Sequence, residues 1–184
     1  SFDGTANTLT VAGSATKAAG AGNNSIFYTL PSMVDGLAVS TSLATVGTTG
    51  NSALGYSATY SGVDGLSVSY GIADVNSGLA STSGDQTAMK ASYAYGPVTL
   101  SYSNSEYTLG SGATEAAQQD VTSYAVSYTV SDALSVTYGT ETIESGLAGS
   151  VDAEYQGVTV AYTAGGMTVT AKSHEADAIS HTSA

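Results

Sequence analysis

Cysteine, tryptophan and arginine do not occur in this sequence of 184 residues, lysine occurs three times and proline twice. Without cysteine there is no disulfide scaffold, no thiolate zinc site and no cysteine nucleophile. Three cationic side chains against 15 acidic ones give a formal charge of −12. That balance excludes nucleic-acid binding by phosphate neutralisation, which needs many Lys and Arg. Charged residues make up only 10% of the chain, against about 25% in an ordinary soluble domain, so such a surface would be poorly defended in water. No apolar run approaches the roughly 18 residues of a membrane helix, and no basic-then-apolar leader opens the sequence at Ser1. The apolar residues are nevertheless plentiful and patterned, which argues against disorder.

The pattern is a repeat, the first thing to seek in such a chain. Tyr28, Tyr60, Tyr95, Tyr128 and Tyr162 fall 32 to 35 positions apart, and each is followed by a short turn and an alternating run. Leu54, Tyr56, Ala58 and Tyr60 share one parity, as do Leu66, Val68, Tyr70 and Ile72. The same parity continues through Met89, Tyr93, Val98, Leu100, Tyr102, Tyr124, Val126, Leu134, Val136, Tyr138, Val158, Val160, Met167 and Val169. The other parity reads Ser67, Ser69 and Gly71, then Thr99, Ser101 and Ser103, then Ser135, Thr137 and Gly139, then Thr168, Thr170 and Lys172. Sustained period-two alternation predicts half-buried strands rather than helices. With a weaker strand over Thr8–Thr16, ten or eleven strands are expected. Tyr155 breaks the parity of its segment, and a bulge at Gly157 would reconcile it, because one inserted residue flips the facing of a strand.

Two architectures could use these strands. A sandwich pairs its apolar faces and wets its Ser/Thr faces; a membrane barrel turns its apolar face to lipid and lines its lumen with the polar face. The polar parity is nearly all Ser, Thr, Gly and Ala, too small to fill a narrow barrel, so it suits a wide, water-filled one. The five anchor tyrosines sit beside the short turns at one level, as an interfacial girdle would, since a phenol ring lies in lipid while its hydroxyl stays wet. A second group, Tyr56, Tyr70, Tyr93, Tyr102, Tyr124 and Tyr138, lies further along the strands. The fold class read from this is all-β, a transmembrane antiparallel β-barrel of up-and-down meander topology. The rival is a secreted β-rich structural or adhesive surface protein, such as a surface-layer or fibre module. An open sheet cannot leave its edges in lipid, and the end of the chain, AISHTSA, carries no further alternating strand. These points predict a middle portion of a longer polypeptide; the alternative is a small barrel that closes by itself.

The segment from Asn24 to Leu37 resembles the general porins of Gram-negative bacteria, through Asn24, Ser25, Ile26, Tyr28, Pro31 and Gly36. Hairpin rhythm then extends the resemblance to about Asp177, although that rhythm is common to many outer-membrane barrels. The resemblance implies a sixteen-stranded trimeric barrel in the cell outer membrane, in contact with outer-membrane lipid and lipopolysaccharide. This chain would supply roughly its strands six to fifteen. Residues 24–177 would be the hairpin repeats, 1–23 the end of the constriction-loop region or the weak strand, and 178–184 a tail or loop. The chain departs from the family in having Gly22 and Asn23 where an arginine often stands, and in lacking the final strand that ends in Phe.

On this reading Ser67, Ser69, Lys90, Thr99, Ser101, Ser135, Thr137, Thr168, Thr170 and Lys172 line the pore, and Tyr28, Tyr60, Tyr95, Tyr128 and Tyr162 form the girdle. Asp35, Asp64 and Asp132 are turn residues. The other carboxylates, from Asp74 to Asp177, are expected in or beside long extracellular loops, where a negative mouth would favour cations. Loop carboxylates could bind calcium through hard oxygen ligands, but no EF-hand loop is present. His174 and His181 flank a polar tail, without the convergent ligands that a zinc site needs. No G-x-S-x-G elbow or phosphate loop occurs, so the chain is read as a non-enzymatic channel without a cofactor.

Overall fold

The computed structural model describes residues 25–31, 33–45, 51–77, 83–109, 119–146 and 151–177. They form ten strands in one antiparallel sheet whose spatial order is the sequence order. The strands are β1 (Ser25–Thr29), β2 (Leu37–Thr45), β3 (Asn51–Tyr60), β4 (Leu66–Ser77), β5 (Gly84–Tyr95), β6 (Val98–Leu109), β7 (Gln119–Ser131), β8 (Leu134–Ser145), β9 (Ala153–Ala164) and β10 (Met167–Asp177). Every strand pairs only with its neighbours in sequence, which is the up-and-down meander read from the alternation. No second sheet lies against it among the described residues. The weak strand at Thr8–Thr16 falls outside the described residues.

Short turns join the hairpins at the tyrosine-anchored end. Val34-Asp35-Gly36-Leu37 and Val63-Asp64-Gly65-Leu66 are identical in sequence and in hydrogen bonding, with Leu37 N donating to Val34 O at 3.1 Å and Leu66 N to Val63 O at 3.0 Å. The glycine of each has φ +74°, a left-handed conformation that a side chain would strain. Gly65 is further constrained because a Cβ there would collide with the carbonyl oxygen of Ala94 on β5. The last hairpin turns on Gly165 and Gly166, both at positive φ, which suits a two-residue loop that follows the strand twist.

Two expectations are corrected. Pairing runs without interruption through Gly157, which faces Gly139 on β8 and His174 on β10. There is no bulge there, and Tyr155 points to the opposite face from Val158 and Tyr162. The register shift lies instead between Thr129 and Ser131, where β7 meets its turn. Second, the strands run further than the hydrophobic alternation suggested: Asp74, Asp85, Glu106, Asp120, Glu141, Glu144, Glu154, Glu175 and Asp177 are strand residues. Cross-strand hydrogen bonds continue after the apolar residues stop. His174 lies on β10, within the expected span of the hairpin repeats.

Candidate functional site

Directly paired residues of an antiparallel ladder share a face, so the register sorts every described strand residue into two sets. One, the outer face, carries the apolar parity. Ile26, Tyr56, Tyr70, Tyr93, Leu100, Tyr124, Val126, Tyr138, Val158 and Val169 all lie on it and are exposed. The other, the inner face, holds the most occluded residues, and they are small: Ser42, Ala53, Ala73, Ala88, Ser103, Ser105, Ser123, Ala125 and Thr159. A water-soluble fold hides its large apolar side chains; here the largest are bare and the sheltered ones are Ala, Ser and Thr. A single sheet curled towards its small-residue face accounts for this, since curling crowds the concave side and opens the convex one.

The outer face changes from apolar to polar part-way along each strand. The change falls between Ile72 and Asp74 on β4, Met89 and Thr87 on β5, Tyr102 and Asn104 on β6, and Tyr124 and Thr122 on β7. It falls between Tyr138 and Thr140 on β8, Val158 and Gln156 on β9, and Ala171 and Ser173 on β10. This border cuts obliquely across the paired rows. The row through Ile72 runs by Thr87, Glu106 and Asp120 to Glu144 on β8, six residues beyond Tyr138. The row through Met89 runs by Asn104, Thr122, Thr142 and Glu154 to Asp177 on β10, six residues beyond Ala171. Six residues at ~3.3 Å over four or five strand spacings of ~4.8 Å incline the border to the rows by about 40–45°. Strands crossing a membrane as a barrel are tilted by about 35–45°. Along β7 the uncharged outer stretch from Thr122 to Val130 is about 27 Å long, or about 20 Å measured across a membrane at that tilt, close to the ~25 Å band of such barrels.

Tyr28, Tyr60, Tyr95, Tyr128 and Tyr162 all fall on the outer face beside the short turns, 37% to 75% exposed. Tyr56, Tyr70, Tyr102, Tyr124 and Tyr138 lie near the oblique border, and the rings of Tyr102 and Tyr124 meet at 5.2 Å between centroids. Beyond the border stand Asp74, Asp85, Glu106, Asp120, Glu144, Glu154, Glu175 and Asp177. Asp74 is paired directly with Asp85, Asp120 with both Glu106 and Glu144, and Glu154 with Asp177. Opposed like charges are unfavourable in a ladder. A hydrogen bond offsets part of the cost at Asp120, where Asn104 Nδ2 donates to Oδ1 at 2.6 Å; Glu175, opposite the neutral Gln156, accepts from its Nε2 at 3.1 Å.

The inner face carries Ser67, Ser69, Lys90, Thr99, Ser101, Ser135, Thr137, Thr168, Thr170 and Lys172. Their hydroxyls couple across strands: Thr59 with Ser69 at 3.0 Å, Ser127 with Thr137 at 2.8 Å and Thr163 with Thr168 at 2.9 Å. Among the residues on this face that sequence reasoning missed are Phe27, Tyr107, Glu141, Tyr155 and His174. Parity alone would have found Glu141, which continues Ser135, Thr137 and Gly139, and His174, which continues Thr168, Thr170 and Lys172, had the strands been drawn long enough. Glu141 is paired directly with Ser123 and Tyr155, and Ser123 Oγ donates to its Oε2 at 3.0 Å. The arrangement is a wall of small, hydroxyl-bearing residues interrupted by a few charged and aromatic side chains.

No family model and no curated protein matches the chain. Among solved structures, a porin is similar over 83% of this chain and 56% of its own, with a TM-score of 0.61 and 19% sequence identity. The chain thus has a porin-like fold and spans a little over half the length of that porin.

Proposed function

We propose that this chain forms part of the wall of an outer-membrane porin, a water-filled channel for passive diffusion of ions and small hydrophilic solutes. The observation that carries this reading is the oblique border on the outer face. A sandwich core or an adhesive surface has no reason to change polarity along a line inclined by about 40–45° to its own hydrogen-bonded rows, whereas a bilayer crossed by tilted strands requires it. The bare apolar face, the Ser/Thr inner face and the similarity to a porin agree with it. In this reading the ten described strands are joined by others in a sixteen-stranded barrel, the protein is a homotrimer, and its outer face meets lipid and lipopolysaccharide. Residues 24–177 form the hairpin repeats of one barrel portion. Carboxylates about the channel mouth bias entry towards cations. Transport needs no catalysis: the wall keeps solutes hydrated and its charges weight their entry.

Cysteine labelling tests the facing, because the sequence has no cysteine of its own. With the protein inserted in a planar bilayer, Ser101→Cys on the inner face should react with a charged methanethiosulfonate and lower the single-channel conductance. Leu100→Cys, one residue away on the outer face, should not respond. Equal response at both positions, or at neither, refutes the assignment of faces.

A further inference from the structure

Most of the negative charge of the described strands is on the wrong side of the wall to act inside a channel. Of the nine strand carboxylates, eight face outward with the apolar parity, and Glu141 alone faces inward. The two described lysines do the reverse, since Lys90 and Lys172 both lie on the inner face. A chain of strongly negative charge therefore presents an inner wall on which, among the described residues, two ammonium groups oppose one carboxylate. Lys90 and Glu141 stand in one row, Lys90–Ser103–Ser123–Glu141, three strand spacings or about 14 Å apart. The Ser123 hydroxyl bond steadies one carboxylate oxygen against the wall, while Glu141 stays half-buried and open to water.

We propose that Glu141 is the residue that sets ion preference inside the channel, opposing Lys90 and Lys172, and that the outward carboxylates do not. The inference rests on the channel reading above. An ion in the lumen meets Glu141 across a few ångströms of water. The outward carboxylates lie behind the wall, about 10 Å or more further away, a full Debye length at 0.1 M salt. Neutralising Glu141 leaves the described part of the wall with two lysines and no carboxylate, so the preference moves towards anions.

The test is the reversal potential of the full-length protein in a planar bilayer under a KCl gradient around 0.1 M. Glu141→Gln keeps an acceptor for the Ser123 hydroxyl and should lower the potassium-to-chloride permeability ratio about twofold. Glu144→Gln removes the same charge three residues along β8 on the outer face and should leave the ratio nearly unchanged. Glu141→Cys gives a second route that acts after folding: a sulfonate-bearing thiol reagent should raise the ratio and an ammonium-bearing one lower it. An unchanged ratio in Glu141→Gln, an equal shift in Glu144→Gln, or insensitivity of Glu141→Cys to the sign of the reagent would each overturn the proposal. Absence of any stepwise conductance in the unsubstituted protein would overturn the channel reading itself, which is a separate result.

Discussion

If the lipid boundary crosses the sheet obliquely, two residues in the same hydrogen-bonded row must differ in depth. Ala58 on β3 and Thr142 on β8 share the row Ala58–Tyr70–Met89–Asn104–Thr122–Thr142 on the outer face. They are five strand spacings apart, about 24 Å, and at a tilt near 40° they differ in height by about 15 Å. Ala58 then sits well inside the apolar band and Thr142 in the headgroup region. An arginine on the lipid face costs about 2–4 kcal/mol at the midplane of a transmembrane barrel and about 0–1 kcal/mol near its interfaces. Ala58→Arg should therefore cost about 2–4 kcal/mol, and Thr142→Arg relative to Thr142→Ala about 0–1 kcal/mol. Urea titration of reversible folding into lipid vesicles, followed by far-ultraviolet circular dichroism and by mobility of the unheated protein in SDS gels, measures both. Equal costs at the two positions would mean that the membrane plane follows the rows, and the tilt derived from the polarity border would be wrong. Negligible cost at Ala58 would mean that the outer face does not meet lipid at all.

Two further outcomes are expected in the same folding assay. Gly65→Ala should destabilise more than Gly96→Ala, because both have positive φ but only Gly65 would set its new Cβ against a backbone oxygen, whereas nothing lies within 4 Å of Gly96; the left-handed strain common to both is worth about 1 kcal/mol. Equal losses would show that the approach of Ala94 to Gly65 carries no energy. A double-mutant cycle on Tyr102 and Tyr124, each replaced by Leu, should give a coupling of about 0.5–1.5 kcal/mol, and additivity would show that the rings merely share a surface.

How far the sequence could be read depended on whether a feature was local. Alternation, the repeated Val-Asp-Gly-Leu turn and the tyrosines beside the turns are each contained within a dozen residues, so strand identity, meander order and facing were legible. Strand ends were not, because Asp and Glu are poor strand formers taken singly. Asp74, Glu106 and Glu154 therefore looked like loop residues, although cross-strand bonds to neighbouring strands extend the ladder over them. Tyr155 shows the same limit. Its phenol ring suggested that it belonged with Val158 and Tyr162, and only the pairing of Gly157 with Gly139 and His174 fixes it on the other face. The oblique border was out of reach for the same reason: it is a relation between strands, and no single strand contains it. Glu141 was lost with the strand ends, taken for one more acidic loop residue.

Because each described strand is hydrogen-bonded only to the strands before and after it in sequence, the hairpin is also a unit of circumference. Strands spaced ~4.8 Å apart and tilted by about 40° each occupy about 6 Å of a barrel's girth, so one hairpin adds about 13 Å to the perimeter and about 4 Å to the diameter. Duplicating or deleting one repeat, bounded by its tyrosine and its turn, would leave every other pairing, facing and turn as it was. In such a sheet the bore can change in whole steps through an ordinary genetic event, without any rearrangement of what already exists.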